Sequence, residues 1–348
     1  MEIIWHVEDC RERDWLRFLL AGSASGETDD YGYGLPVADA IHVVSGNTTP
    51  LRDLDGYFAR CRRQLGPLIL FQLSDEWFSG GYKVYRHFDL VLRTHHTRLA
   101  DAPGIYTVPL GPPSDTQTIS TSTLGSPRRY MWSFVGELKA SRFEMLRAMR
   151  AVQPHLVVSP GRWDPDLPSL AKTEFDEVLD ESAFLPCPMG NAMAETWRLY
   201  EGLERGCIPL VERRPFMDYY SNLFGSHPIP TFRSWGQARA YCIQLLNDRA
   251  ALEWTQRELF TWWQDRKLAT RRAVQTRIQD PRYNDSLRRY AARLPNRRRL
   301  LYEGLRLGEL IRHQSPESLT RRLRNPGGAV RRILRESFSR DGSRKPMV

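Results

Sequence analysis

Arg198 and Glu201 stand three residues apart in the stretch "ETWRLYEGLERGCIPLV", residues 195–211. On a helix that spacing places both side chains on one face. A planar guanidinium fork can clamp a phosphate, and a carboxylate can accept from two ribose hydroxyls. Together they suit a nucleoside diphosphate. The segment just upstream, "SAFLPCPMGNAM", reads as a strand ending in a Pro/Gly turn that contains Pro188 and Gly190. Gly190 would let the backbone approach a ligand closely, and the N–H groups of the following helical turn favour an anion. The competing account is an ordinary amphipathic helix whose Arg and Glu form a weak surface pair.

Positioning such a helix requires a strand on either side of it. Up to about residue 111 the chain alternates strand-like and helix-like runs. "EIIWHV", "AIHVVSG", "PLILFQLSDE", "DLVLRTH" and "IYTVPLG" read as strands, and "RERDWLRFLLAG" and "LRDLDGYFARCRRQLG" as helices. "SASGETDDYGYGLP" reads as a long polar loop. Residues 112–129, rich in Pro, Ser, Thr and Gly, form the linker candidate. The alternation restarts over 130–233 with "YMWSFVG", "SRFEMLRAMRAV", "HLVVSP", "TEFDEVLDES", "AFLPCP" and "CIPLV". Alternation of this kind implies two α/β domains with doubly wound parallel sheets. Residues 234–325 read as helices, with the Trp254, Trp262 and Trp263 cluster packing against a domain. Residues 326–348 read as a basic, weakly ordered tail.

The chain has 348 residues, room for two ordinary domains, with 41% hydrophobic residues and abundant aromatics. Global disorder is therefore excluded as a class. No apolar run approaches the roughly 18–20 residues of a membrane span, and no secretory signal is visible at the N-terminus. Five scattered cysteines without a CxxC pair point to reduced thiols in a cytoplasmic protein rather than a disulfide or zinc scaffold. The net charge of +9 is uneven. Residues 281–348 carry 18 Lys+Arg against 6 Asp+Glu, so the rest of the chain is slightly acidic.

The stretch from 182 to 211 resembles the signature of exostosin-like glycosyltransferases: Cys187, Pro188 and Gly190, then Thr196, Arg198, Glu201, Gly202, Leu203, Gly206, Cys207, Ile208 and Pro209. Pro188 follows Cys187 directly and Gly202 replaces the usual Ala, two small departures. Upstream, "WSFVGELKASRFEMLRAM" is similar to the opening of the same nucleotide-sugar domain, which implies that Gly136 and Arg142 approach the diphosphate. The likeness spans roughly residues 65–215. It implies a bacterial-type, soluble member with the GT-B fold: two Rossmann-like domains facing across a cleft, the second holding the sugar nucleotide, with C-terminal helices crossing back over the first. It also implies an inverting, metal-independent transfer from a nucleotide-diphosphate sugar, a UDP-sugar being expected, to a glycan or lipid-linked acceptor in surface polysaccharide synthesis. Animal exostosins carry an N-terminal membrane anchor, and no such segment is visible here.

Inverting transfer needs a base for the acceptor hydroxyl and electrophilic help for the leaving diphosphate. Arg198, Arg142 and a helix N-terminus can supply the help without a metal or other cofactor. The "DPD" of residues 164–166 lies in a Pro-rich loop and makes a poor metal motif. The base is expected at a strand end of the first domain: Asp75, then Glu76, then Asp30. Each of the three also reads as a helix cap or turn residue. His95 or His96 is expected on the acceptor side, but not both, since adjacent strand residues face opposite ways. The basic tail is expected to dock the enzyme on an anionic membrane surface at the inner face of the membrane. Two rivals stay open: a sugar-nucleotide epimerase of the same architecture, and a non-enzymatic nucleic-acid-binding protein that uses the tail, although the tail lacks any recognition motif.

Overall fold

The computed structural model describes residues 1–46, 51–76, 82–97, 100–138, 141–159, 170–190, 193–213 and 218–292. Its first half is a six-stranded sheet of β1 (Glu2–Trp5), β2 (Gly26–Asp29), β3 (Ala40–Ser45), β4 (Leu68–Leu73), β5 (Leu90–Arg93) and β6 (Ile105–Thr107), in the order β2-β1-β3-β4-β5-β6. The second sheet holds β7 (Tyr130–Val135), β8 (His155–Val158), β9 (Ser182–Cys187), β10 (Ile208–Glu212) and β11 (Thr231–Phe232), in the order β11-β10-β9-β7-β8. Every pairing in both sheets is parallel. The central strands β3, β4, β5, β9 and β10 are buried at every position, as their continuous apolar runs require of strands covered on both faces. Two doubly wound sheets with flanking helices constitute the GT-B architecture implied by the resemblance.

One expectation fails at β2. Residues 26–29 lie inside the segment read as a polar loop, yet they pair in parallel with β1, from Glu2 opposite Gly26 to Trp5 opposite Asp29. All four residues are exposed, so no apolar alternation announces this edge strand. Side chains fix it instead: Glu27 accepts from Trp5 Nε1 at 2.8 Å and from Arg17 Nε at 3.0 Å.

In the second sheet, β7 leads through α3 (Ser141–Met149) to β8 on one side. The chain then returns through α4 (Lys172–Asp180) to β9 on the other side, and through α5 (Trp197–Glu204) to β10. Right-handed crossovers place α3 on one face and α4 and α5 on the opposite one. Gly202 lets α5 lie close on β9, because a Cβ there would meet Leu185 Cδ2 at 2.8 Å.

The connection between the sheets is tied down. Ile119 N donates to Glu204 O at 2.9 Å, and Leu124 is buried. Beyond α6 (Tyr219–Phe224) and α7 (Trp235–Leu246) runs α8 (Arg249–Gln279), 31 residues and hence about 45 Å long. It starts on the second domain, where Gln256 Nε2 donates to Gly206 O at 3.2 Å, and reaches the first, where Gln275 Nε2 donates to Ala21 O at 2.5 Å. The short α9 (Asn284–Ala292) then packs on the turn at 82–87 of the first domain. Trp263 is wholly buried, whereas Trp254 is 63% exposed, so the tryptophan cluster is only partly a packing device. Among the described residues no helix is long and apolar enough to cross a membrane. The basic tail beyond residue 292 and the Asp164–Asp166 motif lie outside the described residues.

Glu204, 2% exposed, closes the junction of α5, the connection and α8. It accepts from Trp263 Nε1 at 2.8 Å, from Lys267 Nζ at 2.8 Å and from Thr118 Oγ1 at 2.6 Å. Removing a buried carboxylate with a paired ammonium leaves that charge uncompensated, a loss of about 3–5 kcal/mol. Glu204→Ala is therefore expected to lower unfolding stability in urea by about that amount. A change below about 1 kcal/mol, the size of an exposed pair, would show that α8 is held by its other contacts and not by Glu204.

Candidate active site

The second sheet reverses its winding between β7 and β9, and loops at the carboxyl ends of strands at such a reversal form the ligand crevice of open α/β sheets. Gly136 follows β7 there with φ +147, and Arg198 Nη2 lies 2.8 Å from where its Cβ would stand. The same nitrogen donates to Val135 O at 2.7 Å. Arg142, in the first turn of α3, donates through Nη1 to Glu137 O at 2.8 Å and contacts Met189 O through Nη2 at 3.5 Å. Both guanidiniums cover the Phe134 ring, with Arg198 Cζ at 4.6 Å and Arg142 Cζ at 5.9 Å from its centroid.

Arg142 is buried and Arg198 half-buried. Among the described residues neither makes an ion pair, and Arg142 Nε is buried without a hydrogen-bond partner. Burial pushes the Arg142 pKa down to about 10, and the neighbouring Arg198 charge pushes it the same way. Arg198 is also held below its usual range by burial, against the opposing pull of Glu201. Two further orphaned atoms sit on the same helix starts: Ser141 Oγ in α3, and Thr196 Oγ1 in the residue that precedes α5. Two adjacent cations, unpaired donors and two helix N-termini form a site for a polyanion.

The structure brings Gly136, Arg142 and Arg198 together, with Thr196 at the head of the same helix as Arg198. Pro188 and Gly190 lie on the loop from β9, where Gly190 N donates to Met193 O at 2.9 Å and Thr196 Cγ2 lies 3.4 Å from the position of a Cβ on Gly190. Glu201 is half-buried one turn into α5. Burial raises its carboxyl above the usual range, with Arg198 and Lys172 pulling the other way. A cavity of about 240 Å³ opens between α3 and the start of α7, lined by Glu144, Glu212, Phe232 and Trp235.

The expected base residues are arranged differently from one another. Asp75 is buried and pairs with Arg93 at 3.1 Å, with both side chains essentially inaccessible. That pair braces β4 against β5 and does not present a carboxylate to a crevice. Both Asp30 oxygens accept from Gly34 N, at 2.9 and 3.0 Å, which folds the following loop. Glu76 stands half-buried at the end of β4. His95, at φ +61, is buried, whereas His96 is half-buried and its N–H donates to Tyr219 Oη at 2.9 Å.

One residue that sequence reasoning passed over joins these parts. Glu195, just ahead of α5, is buried at the contact between the domains. It accepts from Leu110 N at 2.8 Å and from the hydroxyls of Tyr200 and Tyr219, and its Oε2 lies 3.6 Å from His95 Nδ1. Burial alone would raise the Glu195 carboxyl, but His95 and the hydrogen bonds outweigh it and hold it low. Burial alone would lower His95, but Glu195 and then Glu76 outweigh it and hold it high. Only the adjacency of Glu195 to Thr196 in the motif could have drawn attention to it.

No family model matches the chain, and no curated protein matches it. Solved structures do align. An α1,3-fucosyltransferase matches with a TM-score of 0.48 and 12% identity over 79% of this chain and 90% of its own. Anabaena HepE, in complex with UDP and glucose, matches with a TM-score of 0.46 and 8% identity over 80% of this chain and 99% of its own. The glycotransferase of kitacinnamycin matches with a TM-score of 0.37 and 11% identity over 79% and 96%. With likeness at this level, what the chain does has to be argued from its own residues.

The His95–Glu195 pair sets a pH window for the domain contact. A raised histidine contributes stability that is fully present below its unfolded value of about 6.5 and is lost as pH rises through its higher folded value. A depressed carboxylate contributes stability present above about 4.5 and lost on acidification. Wild type should therefore exceed His95→Gln in urea stability by its widest margin between these values, and the margin should shrink as pH rises through the raised folded value of His95. A margin independent of pH would mean that His95 packs as a neutral ring.

Proposed function

We propose that the chain is a glycosyltransferase that uses a nucleotide-diphosphate sugar, of the exostosin-like kind that its 182–211 segment resembles. The observation that carries this reading is the pair of guanidiniums, Arg142 and Arg198, that share the Phe134 ring at the reversal point of the second sheet and make no ion pair among the described residues. Unpaired like charges held together are costly in a resting protein, and an incoming diphosphate relieves that cost. Gly136, Pro188, Gly190 and Thr196 shape the backbone around the donor, and Glu201 takes the ribose, with a UDP-sugar as the expected donor. The acceptor, a glycan or a lipid-linked sugar, enters from the first domain, past Glu76, His95 and His96.

In an inverting transfer the acceptor oxygen attacks the anomeric carbon on the face opposite the diphosphate. The carbon–oxygen bond to the diphosphate breaks, and negative charge grows on the leaving group. Arg142, Arg198 and the N-terminus of α5 are fixed before the reaction and neutralise that charge as it forms. Two guanidiniums and a helix terminus supply what a divalent ion supplies elsewhere, so the transfer is expected to proceed without a metal.

Titration calorimetry with UDP, GDP and ADP tests the donor site. Wild type should bind at least one of them. Arg198→Met and Arg142→Met should each lose that binding and reduce transfer by about 10²–10³-fold, the effect of removing one preorganised donor. Each variant should also be at least as stable as wild type without ligand, because it removes a like-charge contact. Wild-type affinity in both variants would sink the donor-site assignment. Separately, transfer measured in EDTA should match transfer with added Mg²⁺ or Mn²⁺, and activity that depends on either ion would exclude the metal-free mechanism. Epimer release without acceptor would identify an epimerase instead.

A further inference from the structure

We propose that Glu12 is the general base of this reaction, an assignment that rests on the glycosyltransferase reading above. The first sheet reverses its winding at β1: the chain goes out to β2 on one side and crosses to β3 on the other. The connection from β1 to α1 (Arg13–Leu20) therefore lines the crevice of this domain. Glu12 is the last residue of that connection and is 3% exposed. Its Oε1 accepts from Trp197 Nε1 at 3.0 Å. Trp197 is the first residue of α5 and adjoins Arg198, so this hydrogen bond joins the reversal points of the two sheets.

The carboxylate has few partners. Besides its own backbone N–H and Trp197, among the described residues it receives the Cys10 thiol at 4.0 Å on Oε2 and makes no ion pair. Of the other acids, Asp75 is committed to Arg93, Asp30 to Gly34 N and Glu195 to three donors. Glu76 is half-buried and, among the described residues, makes no contact with the second domain's α5 of the kind that Glu12 makes with Trp197. Burial holds the Glu12 carboxyl above its usual range, against its own backbone N–H, the Trp197 hydrogen bond and the His95 charge, a direction that suits a proton acceptor.

The Trp197 contact spans the boundary between the two domains, so the acceptor hydroxyl is placed at that boundary. The acceptor oxygen then forms its bond to the anomeric carbon as the bond to the diphosphate breaks. The bonding pair leaves on the diphosphate oxygen, and the hydroxyl proton passes to Glu12 Oε2, leaving a carboxylic acid. Charge and atoms balance without a further reactant.

The test follows nucleoside diphosphate release from a panel of UDP- and GDP-sugars, with oligosaccharide or water as acceptor, alongside calorimetric UDP and GDP binding. Glu12→Gln should keep nucleotide affinity within about twofold and lower kcat by about 10²–10⁴-fold, the span of general base catalysis. It should also abolish the acid limb of the pH–rate profile. Trp197→Phe removes a donor to the ionised carboxylate, so that limb should move to higher pH, a change that a purely structural contact would not produce. Turnover by Glu12→Gln within about fivefold of wild type, or an unmoved limb in Trp197→Phe, overturns the assignment. Wild type that binds nucleotide but turns over no donor overturns it as well. Wild type that binds no nucleotide fails the donor-site reading first, which keeps the two failures distinct.

Discussion

A single buried carboxylate ties the two sheets together. Glu195 stands at the head of α5, and it collects a backbone N–H from the first domain, two tyrosine hydroxyls from the second, and the His95 imidazole across the boundary. A charge taken out of water is tolerable only when it is surrounded by donors in this way. The constraint runs both ways. Leu110, His95 and Tyr219 must converge on one point, so the ends of β5 and β6 are set against the first turn of α5. That same turn carries Trp197 and Arg198. The geometry of the interface and the geometry of the proposed donor site are therefore one problem with one solution.

The opposite balance holds a few residues away. Arg142 and Arg198 are withdrawn from water, share the face of Phe134 and make no ion pair among the described residues. Their hydrogen bonds go to main-chain oxygens, which orient the forks but do not neutralise them. Stability alone would favour an acid between them. Strain of this kind concentrates where a ligand completes the arrangement. The satisfied carboxylate at the domain contact offsets the unsatisfied cations beside it, and both depend on where α5 begins.

Helix α8 makes that starting point durable. Glu204 closes the far end of α5 with Trp263, Lys267 and Thr118, so the short helix is held at both ends by buried acids. The same long helix then reaches Ala21 in the first domain. A 31-residue helix is long enough to contact both sheets' domains at once.

The parallel sheets were legible in the sequence because strands covered on both faces must be apolar throughout, and "PLILFQL", "AFLPC" and "CIPLV" are. The helix between the last two was legible for the same reason, and its Arg198 with it. Strand β2 was not legible: its four residues are exposed, and only the register with β1 makes them a strand. The roles of the acids were not legible either. Asp75, Glu195, Glu204 and Glu12 are alike in composition, and the sequence treats each as a carboxylate near a turn. Tertiary structure decides that one meets Arg93, one collects hydroxyls, one grips Lys267 and one meets an indole N–H from the other domain. Periodicity reports which side of an element is dry. It carries no information on which long-range partner arrives there, and the partner determines whether a buried charge is structural or reactive.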